Sequence, residues 1–239
     1  MTLGLSETPS KSLSVKALDE IIDNAKSCDV AIIGPGLSTN DETIRLIWSL
    51  IKDLDMPIVL DGDGLTALAN GIEVLNNKNI KLDIFETIGR KLILTPHPGE
   101  AYRIIKALPN HPDKEKKINP NDIDKDKYKY AKFISEQLFC SVVLKGHDTV
   151  IICQGKSIMN KVGGPELASA GSGDVLAGII GSFIGQNPDN HLEAIATAVY
   201  LHGLAGKIAK EKVGERSLIA SDIIRYLPEA IKQAESEME

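Results

Sequence analysis

The chain has 239 residues, enough to bury one sizeable core, and its 43% hydrophobic and 25% charged residues are typical of a globular protein. A formal net charge of -6 and an aromatic content of 4% argue against nucleic-acid binding. The reason is that phosphate backbones attract basic surfaces and single-stranded bases stack on aromatic rings. No stretch approaches the roughly 18 to 20 apolar residues of a membrane span. We therefore expect neither a nucleic acid nor a membrane as a partner.

Cysteine usage and the first residues bear on the cellular compartment. Cys28, Cys140 and Cys153 show no CxxC or Cys/His metal-ligand spacing, and they stand beside predicted strands in apolar company. This pattern predicts reduced, mostly buried thiols. The first residues lack the basic segment and apolar run of a secretory signal. The sequence thus indicates a cytoplasmic protein.

Strands and helices alternate along the chain. Ser38, Thr39 and Asn40 offer N-caps for an amphipathic helix that reaches about Leu54. Apolar runs predict strands at Val30 to Ile33, Pro57 to Leu60, Lys91 to Leu94 and Ser141 to Leu144, and a hairpin of Val150 to Cys153 with Ser157 to Asn160. Later helices are predicted at Asp174 to Ile184, Leu192 to about Glu211 and Ser221 to Ala234, and the polar segment Pro109 to Lys127 as a solvated loop or a ragged helix start.

Four uninterrupted apolar strands separated by helices predict an α/β fold with a central, mostly parallel sheet and helices on both faces. We expect one domain over residues 1–239, because no repeat or second domain is visible. In such sheets, ligands bind beyond the carboxyl ends of the strands. The unusual residues all follow predicted strand ends, and they are Gly36, Asp61, Asp63, His97 and Lys145.

The segment Ala168 to Asp174, which reads ASAGSGD and opens a helix, is the most informative motif. Small residues such as Gly171, Ser172 and Gly173 let the backbone approach a ligand, and the first helical turn presents unpaired N–H groups to an anion. A carboxylate repels phosphate, so Asp174 is better suited to act as a base beside it. The spacing alone leaves equally open that Asp174 only caps the helix and that the glycines allow tight packing.

Three other segments carry candidate site residues. Prolines on both sides of His97 hold it in an extended backbone, which would aim its ring, although a rigid turn with an exposed histidine explains the pattern as well. Asp61-Gly-Asp63 suits Mg²⁺ bound through water, or simply a turn. Lys145 and the amides of Gly146, His147, Asp148 and Thr149 would cradle an adenosine phosphate, where a solvated surface lysine is the alternative. His202, inside a predicted helix, is expected to be a packed or surface histidine rather than a ligand.

In order, these segments resemble the ADP- or ATP-dependent NAD(P)H-hydrate dehydratases, which belong to the ribokinase-like superfamily. The resemblance covers about Leu13 to Ala234 and is carried by Ile33-Gly-Pro-Gly-Leu, Leu60-Asp-Gly-Asp-Gly-Leu, Leu94-Thr-Pro-His-Pro-Gly-Glu, Val143-Leu-Lys-Gly and Gly171-Ser-Gly-Asp-Val-Leu-Ala-Gly. It implies repair of a damaged cofactor, in which the added hydroxyl of (6S)-NADHX or (6S)-NADPHX is phosphorylated and then eliminated as phosphate.

The resemblance also implies roles for particular residues. Asp174 would contact the reacting hydroxyl, and Gly34, Gly36 and His97 would line the hydrate site. The nucleotide, ADP or ATP, would be held by Lys145, Gly146, His147, Asp148, Thr149, Gly171, Ser172 and Gly173. Mg²⁺ is expected with the nucleotide, although the sequence identifies no metal ligand. Relatives tend to self-associate, so a homo-oligomer is expected.

Several positions depart from the family pattern. The family usually begins with a further strand–helix region, so we expect an N-terminally short domain and, as a possible partner, a separate chain that supplies that region. Glu166 replaces a usual glycine and is expected to add negative charge near the phosphate loop. Two alternatives stay open at this point: a kinase of the same superfamily acting on a vitamin-precursor alcohol, and a non-catalytic nucleotide-binding protein.

Overall fold

The computed structural model describes residues 2–78, 80–109 and 118–237. Its strands are β1 (Ala31–Ile33), β2 (Ile58–Leu60), β3 (Leu92–Leu94), β4 (Ser141–Leu144), β5 (Thr149–Cys153) and β6 (Lys156–Asn160). The helices are α1 (Leu18–Ala25), α2 (Asp41–Asp53), α3 (Asp63–Asn77), α4 (Ile84–Ile88), α5 (Pro98–Ala107), α6 (Pro120–Lys125), α7 (Lys127–Leu138), α8 (Ser172–Gln186), α9 (His191–Val213) and α10 (Ala220–Ser236). Short 3₁₀ turns occupy Val15–Ala17, Gly89–Lys91 and Pro165–Leu167.

The strands form one six-stranded sheet in the order β1-β2-β3-β4-β5-β6. β1 to β4 are parallel, and the β5–β6 hairpin continues the sheet in antiparallel fashion. Ile33, Leu60, Leu94 and Val142 lie level across the four parallel strands, so the strand ends meet at one edge. The predicted mostly parallel sheet and its hairpin are confirmed.

The two faces of the sheet explain why the strands are apolar throughout. Side chains alternate between faces along a strand. Ile58, Leu60, Leu92 and Leu94 pack into a core with helices such as α2, α3, α5 and α7. Their neighbours Val59 and Ile93, with Val143 and Ile151 on the next strands, pack against α8 and α9. Each position is therefore buried, as the prediction of helices on both faces required.

Two smaller predictions have different outcomes. The segment predicted as loop or ragged helix start contains helix α6, which begins at Pro120 after an Asn119 side chain that accepts N–H bonds from Asn121 and Asp122. The part of that segment from 110 to 117 lies outside the described residues. Cys140 and Cys153 are buried as expected, and Cys28 is exposed. No helix within the described ranges is both long and apolar enough to cross a bilayer.

Candidate active site

Three neighbouring strand ends deliver polar side chains to one place. The sheet's hydrogen bonding continues just past the strands: the Asp61 amide bonds the carbonyl of Ile33 at 3.2 Å, and the Thr95 amide bonds that of Leu60 at 3.1 Å. The Lys145 amide bonds the carbonyl of Pro96 at 2.8 Å. These cross-strand bonds fix the backbones that carry the three side chains. The carboxyl edge of the sheet therefore holds a rigid polar cluster, at the edge where α/β sheets bind ligands.

Asp61, Thr95 and Lys145 bond one another in this cluster. Lys145 Nζ lies 2.7 Å from Asp61 Oδ1, and Thr95 Oγ1 donates to the same oxygen at 2.8 Å. Asp61 is only 3% exposed and Thr95 is fully buried. A buried carboxylate needs such partners, because an unpaired charge is costly away from water.

Lys145 also lies against the start of α8. A Cβ placed on Gly173 would be 3.2 Å from Lys145 Nζ and 3.5 Å from Asp61 Oδ2, so a side chain there would press on the lysine of the ion pair. The helix follows Gly171, whose φ of 83° is a left-handed conformation that glycine adopts without strain. Its first amides have no side-chain cap. The Ser172 amide bonds the Ser169 carbonyl at 3.2 Å, so the amides of the next residues are the ones left for a ligand. Those amides, the helix dipole and a lysine together make a site for an anion such as phosphate.

His202, on α9, packs beneath the same turn. Its Nε2 lies 3.0 Å from the Ser172 carbonyl oxygen, and the residue is 5% exposed. The pKa of His202 is lowered to about 4, mainly by burial; the bond to Ser172 opposes this shift, and the charge of Lys145 adds a smaller lowering effect. The ring is therefore neutral at pH 7, and Nε2–H is the donor. The expectation of a packed histidine agrees with this position.

A cavity of about 490 Å³ opens in front of the cluster. All but one of the residues predicted to hold the nucleotide line it, together with His97 and His202, and the lining members of that set are Lys145, Gly146, His147, Asp148, Thr149, Ser172 and Gly173. Gly171 is the exception. The structure thus brings residues 145–149 and 172–173, from the two predicted nucleotide segments, to one cavity.

Another part of the cavity lining is the segment from the end of β6 to α8, and sequence reasoning did not assign residues 160–165 to the site. Asn160 to Pro165 and Leu167 to Ser169 line the cavity. This segment packs closely on α9, and the absence of a side chain at Gly203 allows it: a Cβ there would lie 2.2 Å from the Val162 carbonyl oxygen. Gly203 and Gly206, three residues apart on α9, were the available sequence signal for a backbone passing over the helix.

His97 has a structural task as well as a place at the cavity. Its backbone is extended, as the flanking prolines predicted, and it is the N-cap of α5. Nδ1 accepts the amides of Gly99 at 3.0 Å and Glu100 at 3.4 Å, while the Glu100 side chain accepts the His97 amide at 2.8 Å. An accepting Nδ1 leaves Nε2 as the nitrogen that carries the N–H, and Nε2 lies 3.5 Å from Glu100 Oε1. The ring is about half exposed, so the cap orients a side chain that a ligand can still reach.

The two glycines of the loop after β1 differ in their surroundings. A Cβ on Gly34 would lie 1.8 Å from the Asp61 carbonyl oxygen, so this glycine is needed for close packing of two strand ends. Gly36 also has a positive φ, of 68°, but nothing lies within 4 Å of a Cβ there. Neither residue lines the cavity. Of the two, Gly36 has the open surroundings that a bound ligand requires.

Asp174 occupies the first turn of α8, one residue beyond Gly173, and it does not line the cavity. It is exposed, and no hydrogen bond or ion pair joins it to any other described residue. The alternative of a simple helix cap does not fit, because Asp174 lies inside the helix and accepts no backbone amide. Its carboxylate is therefore free to act on a ligand that reaches this turn.

Two further acidic residues have different surroundings from those expected. Asp63 Oδ2 accepts the Ser38 amide at 2.8 Å and so ties the loop after β1 to α3. Glu166 is 4% exposed but does not line the cavity; its Oε2 lies 3.7 Å from Lys210 Nζ on α9. The charge of Glu166 is thus directed at α9 rather than at the phosphate site. Its Oε1 has no hydrogen-bond partner among the described residues.

Comparison with known proteins decides the family. The family model for NAD(P)H-hydrate dehydratases matches residues 5–229. The chain belongs to this family. A bifunctional NAD(P)H-hydrate repair enzyme from Moorella thermoacetica is 35% identical over 240 residues, which cover 100% of this chain and 41% of that protein. The dehydratase domain here therefore spans well under half of that relative.

Solved structures agree with this membership. The ADP/ATP-dependent NAD(P)H-hydrate dehydratase of Bacillus subtilis, crystallised with ATP and Mg²⁺, matches with a TM-score of 0.66 and 26% identity, over 86% of this chain and 64% of that one. A ribokinase-like superfamily protein of Enterococcus faecalis matches with a TM-score of 0.69 and 25% identity, over 94% of this chain and 70% of that one. The ribokinase-like fold and the family resemblance of the motifs are confirmed. Membership in the dehydratase family also disfavours the vitamin-precursor kinase.

Proposed function

We propose that the chain converts (6S)-NADHX and (6S)-NADPHX to NADH and NADPH, with ADP or ATP as phosphoryl donor. The observation that carries the proposal is the free carboxylate of Asp174. It is exposed and unpaired among the described residues, and it follows directly on Gly173, which lines the cavity and has no side chain to crowd the Lys145–Asp61 pair. A base beside an anion site is what phosphorylation of an alcohol requires.

The chemistry proceeds in two stages. Asp174 accepts the proton of the hydrate's hydroxyl, and the resulting oxygen attacks the terminal phosphorus of the nucleotide, which leaves as AMP from ADP or as ADP from ATP. The ring carbon–oxygen bond then breaks and phosphate departs. Loss of a proton from the adjacent ring carbon restores the double bond. Phosphate is a far better leaving group than hydroxide, and this is why the reaction consumes a nucleotide.

The nucleotide side of the site is the cavity. Lys145 and the amides at the start of α8 stabilise the negative charge that spreads over the transferred phosphoryl oxygens. The loop of Gly146, His147, Asp148 and Thr149 holds the rest of the nucleotide, and Thr149 Oγ1 braces that loop through a 3.1 Å bond to the Gly146 carbonyl. Gly171 contributes by its conformation, because it lets the chain turn into the helix with its amides uncapped.

The hydrate lies on the Asp174 side in this proposal. His97, held by its cap to α5 with Nε2 3.5 Å from Glu100 Oε1, offers its half-exposed ring as a contact surface for the nicotinamide ring. Gly36 allows the loop after β1 to approach the ring without a side chain in the way. Gly34 acts indirectly, since its close packing on Asp61 positions that loop.

Mg²⁺ fits the site as an ion carried by the nucleotide. Within the described parts of the chain, no group of three His, Cys, Asp or Glu side chains could hold a metal. Mg²⁺ is commonly bound by substrate phosphates and water with few protein carboxylates. The ion supplies charge neutralisation at the phosphates. The Asp61–Asp63 pair is a poor cage for it, because Asp61 Oδ1 and Asp63 Oδ2 already accept protein donors.

We also propose that residues 1–239 form one domain, that the chain self-associates and that it acts in the cytoplasm. The single sheet and the three free cysteines support the first and the last of these. Sedimentation at several concentrations tests self-association.

The test of the proposed function is NADH formation from purified (6S)-NADHX with ADP, ATP or no nucleotide. We expect NADH to appear only with a nucleotide, with one AMP or ADP and one phosphate formed for each NADH. A vitamin-precursor alcohol, hydroxyethylthiazole, serves as the competing substrate. Phosphorylation of that alcohol without any turnover of (6S)-NADHX would instead identify a kinase.

A further inference from the structure

Asp61 is the most deeply buried charged group at the strand ends, and none of the roles given above uses it. Its carboxylate is 3% exposed and accepts from Lys145 Nζ at 2.7 Å and from Thr95 Oγ1 at 2.8 Å. The Thr95 hydroxyl has one proton and also lies 3.1 Å from the Leu60 carbonyl oxygen. The shorter contact to a charged acceptor is the stronger bond. The orientation of the Asp61 carboxylate is thus fixed by Thr95, which is itself fully buried.

The position of Lys145 Nζ differs from what its place in the sequence suggests. The residue begins the loop of 145–149, but its ammonium group contacts the end of β2 and the first turn of α8. A cation beside the positive end of a helix dipole is unfavourable unless an anion shares the position. Asp61 supplies that anion now, and a phosphoryl group at the uncapped amides would supply a second one.

We propose that Asp61 is a positioning residue that holds the Lys145 ammonium group over the first turn of α8, facing the phosphoryl group in transit. Lys145 then serves the transferred phosphoryl group, and the loop of 146–149 serves the adenosine part. The proposal rests on the proposed function for the reaction itself. Its geometric part, the dependence of Lys145 on Asp61, concerns any nucleotide with a second phosphate.

A double-mutant cycle tests the dependence of one residue on the other. Asp61→Asn keeps the size of the side chain and removes its charge, and we expect kcat to fall about 10- to 100-fold, since misplacing a charged group lowers the rate steeply. The KM for nucleotide should fall, because Lys145 no longer shares its charge with a competing carboxylate. In a Lys145→Met background, Asp61→Asn should change kcat by less than about threefold, since no cation remains to be positioned.

Additive effects would overturn the proposal. If Asp61→Asn lowers kcat equally with and without Lys145, Asp61 acts independently, for example through the magnesium ion. A raised Mg²⁺ requirement in Asp61→Asn alone would lead to the same conclusion. Either result assigns Asp61 another role.

Thr95 provides a variant pair that leaves both charges in place. Thr95 is fully buried, so its hydroxyl is out of reach of the substrates, and its bond to Asp61 links it to the charged pair. Thr95→Val, which removes the hydroxyl, should lower kcat about 3- to 10-fold, the effect of losing one hydrogen bond. Thr95→Ser, which keeps the hydroxyl, should restore most of the rate. Equal rates in these two variants, with equal unfolding midpoints, would contradict the proposal.

Nucleotide binding separates this inference from the proposed function. Calorimetric titration with ADP and with AMP needs no turnover. We expect Asp61→Asn to tighten ADP binding about 3- to 10-fold, because Lys145 loses its competing anion, and to leave AMP binding unchanged. The same substitution in Lys145→Met should leave both affinities unchanged. If these binding changes occur but the protein does not act on (6S)-NADHX, the inference about Asp61 stands and only the proposed reaction is rejected. Equal effects of Asp61→Asn on ADP and AMP binding would reject the inference.

Discussion

His202 Nε2 lies 3.0 Å from the carbonyl oxygen of Ser172, so a buried, neutral histidine on α9 supports the turn that begins α8. Ser172 and Gly173 both line the cavity. The contact joins α9 to the proposed anion site at the start of α8. It also makes the stability of the protein depend on pH.

Protonation of His202 should destabilise the protein in acid. The pKa is lowered to about 4 in the folded state from 6.5, so the unfolded chain binds the proton first as pH falls. Below pH 6.5 the folded state therefore loses about 1.4 kcal/mol per pH unit, down to its own pKa near pH 4. His202→Gln keeps an N–H donor for the Ser172 carbonyl but does not titrate. Urea unfolding between pH 7 and 4 should show a weaker decline for this variant, and parallel declines would refute the assignment.

Gly173 and Gly178 lie on the same helix and provide a matched pair. A Cβ at Gly173 would crowd Lys145 Nζ at 3.2 Å, whereas nothing lies within 4 Å of one at Gly178. We expect Gly173→Ala to lower kcat roughly tenfold or more, because it displaces a charged group at the reacting phosphate. Gly178→Ala should leave kcat unchanged and stabilise the fold by about 0.5–1 kcal/mol, the helix preference of alanine over glycine. Rates and unfolding free energies of both variants check this, and equal rates would count against the position given to Lys145.

Glu166 should lower the free energy of unfolding rather than raise it. One carboxylate oxygen is buried without a partner in the described structure, and the other is 3.7 Å from Lys210. Replacing such a charge by an apolar side chain of similar size, in Glu166→Met, should stabilise the fold by about 1–2 kcal/mol. Glu215, 46% exposed and paired with the same lysine, is the control. Glu215→Met should change the unfolding free energy by less than about 0.5 kcal/mol.

Nucleotide affinity gives a second readout for the same variant. Because Glu166 faces α9 and not the cavity, Glu166→Met should change ADP affinity by less than about threefold, a shift that corresponds to under 1 kcal/mol. A marked loss of stability would mean that the carboxylate holds a partner such as a cation. A marked gain in affinity would mean that its charge does reach the phosphates.

Much of the fold could be predicted from the sequence because the parallel strands β2, β3 and β4 are buried on both faces. Runs such as Ile58 to Leu60 and Leu92 to Leu94 are apolar without interruption for that reason, and their polar successors mark the carboxyl edge. Asp61-Gly-Asp63 was harder to interpret. It suits a turn or a metal site by composition, whereas the structure uses Gly62 at φ 53° to enter α3 directly.

The contacts that define the site were beyond sequence reasoning. Lys145 and Asp61 are 84 positions apart, and they meet only because β2, β3 and β4 are neighbours in this order. His202 and Ser172 meet through the packing of α9 on α8, which no local pattern predicts. The motif of 171–174 predicted an anion site, which stays a prediction, and its Ser172 and Gly173 do line the cavity. The choice between a cap and an uncapped carboxylate for Asp174 needed the hydrogen bonds.

Asp174 carries the central claim, and one comparison tests it most directly: turnover of (6S)-NADHX with ADP or ATP by the wild-type chain and by Asp174→Asn. Asp174 is exposed and unpaired, so the variant should unfold within about 1 kcal/mol of the wild type and bind nucleotide with similar affinity. Loss of a general base should lower kcat about 100-fold or more. Nucleotide-dependent turnover that survives the substitution at a similar rate would contradict the assignment of Asp174 as the base.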